Sequence, residues 1–266
     1  MFGYGFDRRS IYIVLAVFLA LTLVNLGTFN IVTTLLTLPG VILALSFHEF
    51  AHAFVAVKLG DPTPKNQGRL TIDPLAHIDP VGIFLLIFAH LGWGKPVQIN
   101  PNNFSRVSRG TGEVLVALAG PLMNFILAFV LMVIYYATVF FIPGTGIIKS
   151  LSALNVLSIV MTMLYYAIVV NVGLGVFNLI PIPPLDGSKV FLRLLPYRAQ
   201  SWINDNMQII SMVFLILFIT GLLSQITAPI ISAIIYGMDY ILTAIFSIFI
   251  WSAKVYEVKV RECSDA

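Results

Sequence analysis

The chain has 266 residues, of which 59% are hydrophobic and only 10% are charged, and its formal net charge is +3 at pH 7. A soluble protein of this length needs far more polar surface than this composition supplies, so the lipid bilayer is its natural solvent. The basic residues lie in loops beside apolar runs, which indicates membrane orientation rather than nucleic-acid binding, and the single cysteine, Cys263, excludes a disulfide framework.

Six apolar runs approach the length of about 20 residues that a transmembrane helix needs. In chain order they are Ile11–Leu26, Ile31–Val57, Val114–Phe141, Ser152–Leu179, Met207–Leu223 and Pro229–Trp251. No small-residue cleavage site follows the first run, so we do not expect a cleaved signal peptide. The sequence predicts an all-α polytopic membrane protein with about six transmembrane helices. We expect one membrane domain over residues 1–251 and a polar C-terminal tail over residues 252–266.

The distribution of basic residues predicts the orientation of these helices. If the N-terminus is cytoplasmic, fourteen of the 15 Lys and Arg residues fall inside and only Lys149 falls outside. By the positive-inside rule, both termini and the loop at 60–112 are then cytoplasmic, and the loop at 143–150 is external. We expect an integral protein of the cell membrane of a prokaryote.

The second run contains SFHEFAHAF, residues 46–54, which places two histidines and a glutamate in an apolar stretch. On a helix, His48 and His52 lie one turn apart on the same face, so both imidazoles can reach one metal ion. Glu49 points about 100° away around the axis, where it can reach a metal-bound water without being a ligand. This is the H-E-x-x-H pattern of zinc peptidases. Ionisable groups inside membrane spans are costly and usually functional.

The loop at 60–112 is the longest polar region of the chain. Two extended pieces within it, Gly68–Ile72 and Lys95–Ile99, are bounded by Pro, Asn and Gly and predict a small β-hairpin or sheet after the second helix. Between them, Val81–Leu91 is apolar but too short to span, which is typical of a re-entrant or interfacial segment.

A catalytic zinc site needs a third protein ligand, since three ligands and one open position are usual. Asp186 stands out because it lies in NLIPIPPLDG, residues 178–187, where three prolines end a helix directly after an apolar run. An aspartate on broken backbone at membrane depth needs a counter-charge, and a divalent cation supplies one. An interfacial turn with a solvated aspartate is the alternative. The other donors left open are Asp73, His77, Asp79, His90, Glu113 and Asp239.

Four stretches together carry a family resemblance: HEFAH inside a span, GRLTIDPLAHIDPVG, AGPLMN and NLIPIPPLDG. They resemble the site-2 protease family of intramembrane zinc metalloproteases, from about Ser46 to Gly187. The resemblance implies that His48, His52 and Asp186 bind one Zn²⁺ ion and that Glu49 is the catalytic residue.

The resemblance also implies that Asn178 holds substrate near the metal, and Asn124 in AGPLMN matches a further family position. One departure is visible, because Ser188 stands where the family often has a second glycine. The chain looks like a minimal form, without room for a PDZ or CBS regulatory domain.

The expected function is an intramembrane zinc metalloendopeptidase that cleaves transmembrane segments of membrane proteins near the cytoplasmic side. A helical substrate must unwind first, and its freed backbone groups then need new partners. We expect the predicted sheet to supply them by strand addition, with Arg69, Thr71, Val97 and Ile99 flanking the substrate. The alternative is a structural hairpin that only covers the site.

Two other functional classes remain open at this point. A divalent-metal transporter would also place His and carboxylate groups in spans, although it should have ligands on several helices along a path. A substrate-binding pseudoprotease would lack part of the catalytic set, and here no member of that set is missing. Zinc-dependent cleavage that a chelator abolishes would separate the protease from both.

Overall fold

A computed structural model describes residues 30–79, 82, 94–142 and 150–264, and this part of the chain is helical. Four of its helices are long and apolar enough to cross a membrane, or five if one bent pair forms a single span. The helices are α1 (Ile31–Lys58), α2 (Thr63–Asn66), α3 (Pro74–His77), α4 (Arg109–Phe141), α5 (Leu151–Asn178), α6 (Asp186–Leu194), α7 (Tyr197–Asp205), α8 (Met207–Ile219) and α9 (Leu222–Ser264), with a 3₁₀ turn at Pro101–Asn103 between α3 and α4.

The starts of α1, α4 and α5 are set by polar caps. The side chain of Asn30 accepts hydrogen bonds from the backbone N–H groups of Val32 and Thr33 at 3.0 and 3.1 Å. Ser108 caps α4, which therefore begins five residues before the predicted Val114, and Ser150 caps α5. Each cap satisfies backbone donors that have no partner within the helix.

The predicted span Met207–Leu223 is shorter in the structure because α8 ends at Ile219. Gly221 has a φ of 73°, a left-handed conformation that ends a helix and that glycine adopts without strain. α7 and α8 meet at 71°, so together they form a broken span or a re-entrant pair. Helix α9 starts at Leu222, ahead of the predicted Pro229, and its backbone stays helical to Ser264.

Helices α1, α4 and α5 pack against one another, and α6 packs on α4. Gly40 allows the close crossing of α1 and α5, since a Cβ at this position would lie 2.6 Å from the Cα of Ala167. The apolar core lies between α4, α5 and α9 and consists of Ala128, Leu131, Met132, Ala167, Ile168, Val172, Val176 and Leu242. The polar residues of the site lie beside this core, where α1 faces α4 and α5.

The predicted β-hairpin is wrong for the part of the chain that the structure describes. Gly68–Ile72 is a turn followed by irregular backbone, and Lys95–Ile99 has no regular secondary structure and pairs with no strand. Backbone donors that a ladder would use are bonded elsewhere. The N–H of Arg69 donates to the carbonyl of Pro64, and the N–H of Val97 donates to the side chain of Glu49. Pro96 has no N–H to offer.

Some predictions concern residues outside the described ranges. These are the first span, Ile11–Leu26, the apolar segment Val81–Leu91 apart from residue 82, and the loop at 143–149.

Candidate metal centre

Three side chains from two distant parts of the sequence meet at one point. His48 and His52 lie one turn apart on α1, and Asp186 opens α6. The Nε2 atoms of the two histidines are 3.0 Å apart, and each is 3.1 Å from Oδ2 of Asp186. Both histidines are buried, and the Asp186 side chain is 14% exposed. Within the described residues, these three form the group of His, Cys and acidic side chains whose donor atoms could hold a metal ion.

The Nδ1 atom of each histidine, on the opposite side of the ring from the atom near Asp186, forms a hydrogen bond with a fixed acceptor. Nδ1 of His48 is 2.6 Å from Oδ1 of Asn124, and Nδ1 of His52 is 2.7 Å from the backbone carbonyl of Val116. A carbonyl oxygen can only accept, so each Nδ1 carries the proton and donates it. Each Nε2 then presents a lone pair toward Asp186. Such contacts behind metal-binding histidines fix both the tautomer and the ring orientation.

The amide of Asn124 is itself held in one orientation. Its Nδ2 donates to the carbonyl of Ala44 and to Oδ1 of Asn171, both at 3.0 Å. Asn171 in turn donates from Nδ2 to the carbonyl of Ala167 at 2.8 Å. Both asparagines are fully buried. If the Asn124 amide were rotated by 180°, its NH₂ group would face the N–H of His48 and its oxygen would face the oxygens of Ala44 and Asn171. The hydrogen bonds of Asn124 therefore direct its oxygen toward His48.

The donor set fits a zinc ion. Two imidazole nitrogens and a carboxylate oxygen at 3.0–3.1 Å from one another form a cluster of electron-pair donors that attracts a cation. Nitrogen and carboxylate oxygen are zinc donors, and three protein ligands leave one coordination position for water or substrate. Helix α4 packs closely against the two imidazole rings, because a Cβ at Gly120 would lie 2.5 Å from Nε2 of His52 and 2.6 Å from Cε1 of His48.

Asp186 reaches the histidines because α5 stops at Asn178 and α6 starts only eight residues later. A Cβ at Gly187 would press on the backbone of Leu179, so glycine allows the chain to fold back on itself here. The hydroxyl of Ser188 donates to the carbonyl of Leu185 at 2.6 Å, which gives this departure from the family pattern a local role. Lys189 lies one turn on, with Nζ 3.6 Å from Oδ1 of Asp186.

Glu49 is half-buried, and the loop after α3 holds one of its oxygens. The backbone N–H of Val97 donates to Oε2 of Glu49 at 2.9 Å. This segment is anchored by the buried Asp61, whose Oδ2 accepts from the N–H of Asn100 at 2.6 Å and whose Oδ1 accepts from the amide of Asn103 at 2.9 Å. Burial alone would raise the pKa of Asp61, but hydrogen bonds from Thr63, Asn100 and Asn103 hold it below its ordinary value.

The residues predicted to contact substrate surround this loop without forming a sheet. Asn178 is the last residue of α5, and its Nδ2 donates to the carbonyl of Leu174 at 3.0 Å. The carbonyl of Thr71 accepts from Nε2 of His77 at 2.7 Å. Arg69 and Ile99 are partly buried. Their roles toward a substrate stay predictions.

The other candidate ligands have different surroundings. Asp73 caps α3 by accepting from the N–H of Leu75, Glu113 pairs with Arg109, and Asp239 accepts from the hydroxyl of Tyr136. His77 is buried beside Thr71, Asp79 lies outside the metal cluster, and His90 is beyond the described residues.

Sequence reasoning missed four contributors to the centre: Val116, Gly120, Asn171 and Lys189. The buried Asn171 had a signal, since an amide in the middle of an apolar run is costly without partners. Lys189 follows Asp186 at helical i,i+3 spacing. Val116 contributes only a backbone carbonyl, which has no side-chain signature in a sequence.

Comparisons with known proteins agree with this geometry. The family model of peptidase family M50 matches residues 36–222. The chain is 37% identical over 214 residues to the Bacillus subtilis protein named "Putative zinc metalloprotease YwhC", covering 78% of this chain and 90% of that protein.

Two more distant relatives carry similar names. The chain is 31% identical over 160 residues to "Putative zinc metalloprotease Rip2" of Mycolicibacterium smegmatis, covering 58% of this chain and 54% of that protein. It is 27% identical over 181 residues to "Zinc metalloprotease MJ0392" of Methanocaldococcus jannaschii, covering 68% of this chain and 39% of that protein. No solved structure gives a significant match.

Proposed function

This chain belongs to peptidase family M50, and from that premise we propose that it cleaves peptide bonds within the membrane. It is a zinc metalloprotease with helices that fit a lipid bilayer. The finer proposal is an endopeptidase that cuts transmembrane segments of substrate proteins near their cytoplasmic ends. His48, His52 and Asp186 are the proposed zinc ligands, and Glu49 is the proposed acid–base residue.

One observation carries this proposal: two histidines of a helix of membrane-spanning character, next to a glutamate, converge with Asp186 of α6 to within 3.1 Å. A purely structural role is disfavoured because ionisable groups from two distant parts of the chain direct one ligand atom each to a single point, at a depth where such groups are costly. A transporter is disfavoured too. Within the described residues the metal-binding group is a single cluster rather than a series of sites along a path.

The division of labour follows from the contacts. Bound zinc supplies a Lewis acid that brings the pKa of a water toward neutrality and polarises a carbonyl. The Oε2 atom of Glu49 is held by the N–H of Val97, which leaves Oε1 to take a proton from the attacking water. Glu49 then delivers this proton to the nitrogen of the leaving amine. Asn124 and Val116 keep the two imidazoles from turning while the proton moves.

The proposed cleavage depth follows from helix geometry. Lys58 ends α1, and at 1.5 Å per residue His52 lies about 9 Å and His48 about 15 Å further along the axis. With Lys58 at the cytoplasmic surface, water needs only a short polar path to reach Glu49. Both termini would be cytoplasmic, and a prokaryotic cell membrane is the proposed location.

A substrate helix must unwind at the cut, because its carbonyls are otherwise engaged within each turn. The segment Lys95–Ile99 contacts Glu49 through the N–H of Val97, so we infer that the unwound substrate lies along this segment. Asn178, Arg69, Thr71, Val97 and Ile99 are the proposed contacts. The N–H of Val97 already bonds to Glu49, so Val97 would contact the substrate through its carbonyl or side chain.

The test separates zinc binding from turnover. Glu49→Gln should keep near-stoichiometric zinc, because Glu49 is not a proposed ligand, and should lose nearly all cleavage of a transmembrane substrate in detergent. Asp186→Ala or His48→Ala should lose zinc affinity as well. Zinc is measured by metal analysis of purified protein, and cleavage by mass spectrometry of the products.

Full activity in Asp186→Asn, or unchanged zinc content in Asp186→Ala, would remove Asp186 from the proposed ligand set. Products cut only outside the membrane segment of the substrate would leave a zinc protease but contradict intramembrane cleavage.

A further inference from the structure

A polar cavity of about 360 Å³ lies in the loop at 60–112, outside the metal cluster. Its lining consists of Gln67, Arg69, Lys95, Pro96 and Gln98. Two of these side chains are cationic at neutral pH, two are amides, and none is a carboxylate. The cavity is therefore electropositive and rich in hydrogen-bond donors.

Arg69 is the less exposed of the two charged residues that line this cavity. Its Nη1 atom is buried and has no hydrogen-bond partner within the described residues. A buried guanidinium nitrogen without an acceptor is unfavourable, so such atoms in native proteins call for a partner. The backbone N–H of Arg69 donates to the carbonyl of the buried Pro64 at 2.8 Å, which fixes the base of the side chain. Other atoms of the Arg69 side chain line the cavity, where a ligand can bring an acceptor.

The cavity and the proposed catalytic residue share one segment of chain. Pro96 and Gln98 line the cavity, and Val97 between them donates its N–H to Glu49. The segment is fixed at its start by the N–H of Lys95, which donates to the carbonyl of His77 at 2.7 Å. Gln98 is fixed by an amide hydrogen bond from Gln67 at 3.0 Å. A peptide bound next to Glu49 would pass the mouth of this cavity.

We propose that this cavity binds the carboxylate of an acidic side chain in the substrate, on the cytoplasmic flank of the scissile bond. The inference rests on the proposed function and assigns a substrate class to it. The planar guanidinium of Arg69 matches a carboxylate with two parallel hydrogen bonds, and Lys95 adds a second positive charge. A substrate with Asp or Glu at this flank is bound more tightly than its amide counterpart.

A substrate carboxylate fits this cavity better than a lipid phosphate does. The two amides, Gln67 and Gln98, offer neutral donors and acceptors that suit an extended peptide, and the segment continues directly to Glu49. A lipid phosphate would be served by exposed cations alone.

The first experiment measures binding without cleavage. Full-length zinc-loaded protein with Glu49→Gln is titrated in neutral detergent with two labelled peptides, each an apolar helix with a short flank. One flank carries Glu and the other carries Gln at the same positions. We expect the Glu peptide to bind about tenfold more tightly. Equal affinities would overturn the proposal.

The second experiment assigns the preference to the cavity. Adding Arg69→Gln should reduce the preference to about twofold or less, whereas Arg69→Lys should retain part of it. Lys65→Gln removes a charge from the same loop outside the cavity and should leave the preference intact. The ratio of two peptides on one protein sample cancels any loss of folded protein. An unchanged ratio in Arg69→Gln would overturn the proposal.

A third arm tests the lipid source. The ratio is measured again in nanodiscs of phosphatidylcholine, with and without phosphatidylglycerol. A preference that depends on Arg69 in phosphatidylcholine discs supports the proposal. If Arg69→Gln instead changes only the amount of phosphatidylglycerol retained, the site belongs to lipid and the proposal is wrong. Because the variant used is inactive, these results stand whether or not the wild-type protein cleaves either peptide.

Discussion

At the scale of single residues, His48 is prepared for a metal by groups that lie behind its ring. Its Nδ1 donates to Asn124, and Asn124 is oriented by its own bonds to Ala44 and Asn171. All of these groups are buried, where an amide with unmade hydrogen bonds is costly. The ring is therefore held in one tautomer, with its Nε2 lone pair directed toward the candidate metal centre.

This chain of hydrogen bonds predicts a role for Asn171 in zinc affinity. Asn171→Leu keeps the volume of the side chain but removes the acceptor that orients Asn124. Loss of such contacts behind a ligand weakens metal binding by about 10–100-fold. We expect a loss in this range in competition with a zinc chelator, together with a shifted visible spectrum of the cobalt-substituted protein.

Ile168→Val is the matched control, because Ile168 is a buried neighbour on the same helix that takes no part in the hydrogen-bond chain. It should lower thermal stability without changing zinc affinity. If Asn171→Leu binds zinc as tightly as this control, Asn171 only packs the core.

At the scale of helices, the site depends on a close approach between α1 and α4. Gly120 lies against both imidazole rings, and the next residue, Pro121, is buried within α4. In the sequence AGPLMN, Gly120 therefore leaves space for the two imidazole rings. Asn124, one turn later, supplies the acceptor for Nδ1 of His48. One turn of helix serves both needs because positions i and i+4 share a face.

Gly120→Ala should disturb the metal centre more than the fold. The added Cβ would lie 2.5 Å from Nε2 of His52, so the ring must move away from Asp186. Overpacking of this kind costs about 1–3 kcal/mol of stability. We expect zinc occupancy to fall well below one ion per chain while circular dichroism remains helical.

Gly237→Ala provides the comparison, since the space beside Gly237 is open and the substitution there should have no effect on zinc. Full zinc occupancy in Gly120→Ala would mean that the helices separate without cost to the ligands.

At the scale of the whole molecule, the ends of the helices that form the candidate site lie on one side of the helix bundle. Lys58 ends α1, Arg109 begins α4, and the guanidinium of Arg193 in α6 lies against Gly110 in the first turn of α4. A shared face of basic residues agrees with the predicted cytoplasmic side. The proposed depth of the cut depends on this orientation.

Cysteine labelling tests the orientation directly. In a Cys263→Ser background, Lys65→Cys should react with a membrane-impermeant maleimide only after the cells are opened. Ser150→Cys, at the start of α5, should react in intact cells. The opposite pattern would invert the protein and place the metal centre toward the other membrane surface.

Local sequence patterns were enough to predict membrane-spanning helices, and they also gave the candidate residues of the centre. HEFAH places two imidazoles on one helix face by local geometry alone, and the apolar runs predict helices because lipid offers no partners for an unpaired backbone. Helices α1 and α5 begin and end within one residue of the predicted bounds, whereas α4 begins five residues before its predicted start. The choice of Asp186 relied on the prolines before it, which are also a local signal.

The tertiary structure decided which distant groups complete the centre and how the loop at 60–112 is held. Asn171, Val116 and Gly120 act on the histidines only through packing between helices, and no local pattern encodes such contacts. The predicted sheet was wrong because residues 68–72 follow a turn after α2, and the N–H groups of Arg69 and Val97 donate to Pro64 and Glu49 instead of to a neighbouring strand. A β-propensity indicates only that a segment can adopt a strand conformation. The packing of the helices decides which acceptor the backbone N–H groups of that segment reach, since they form hydrogen bonds with the nearest unsatisfied group.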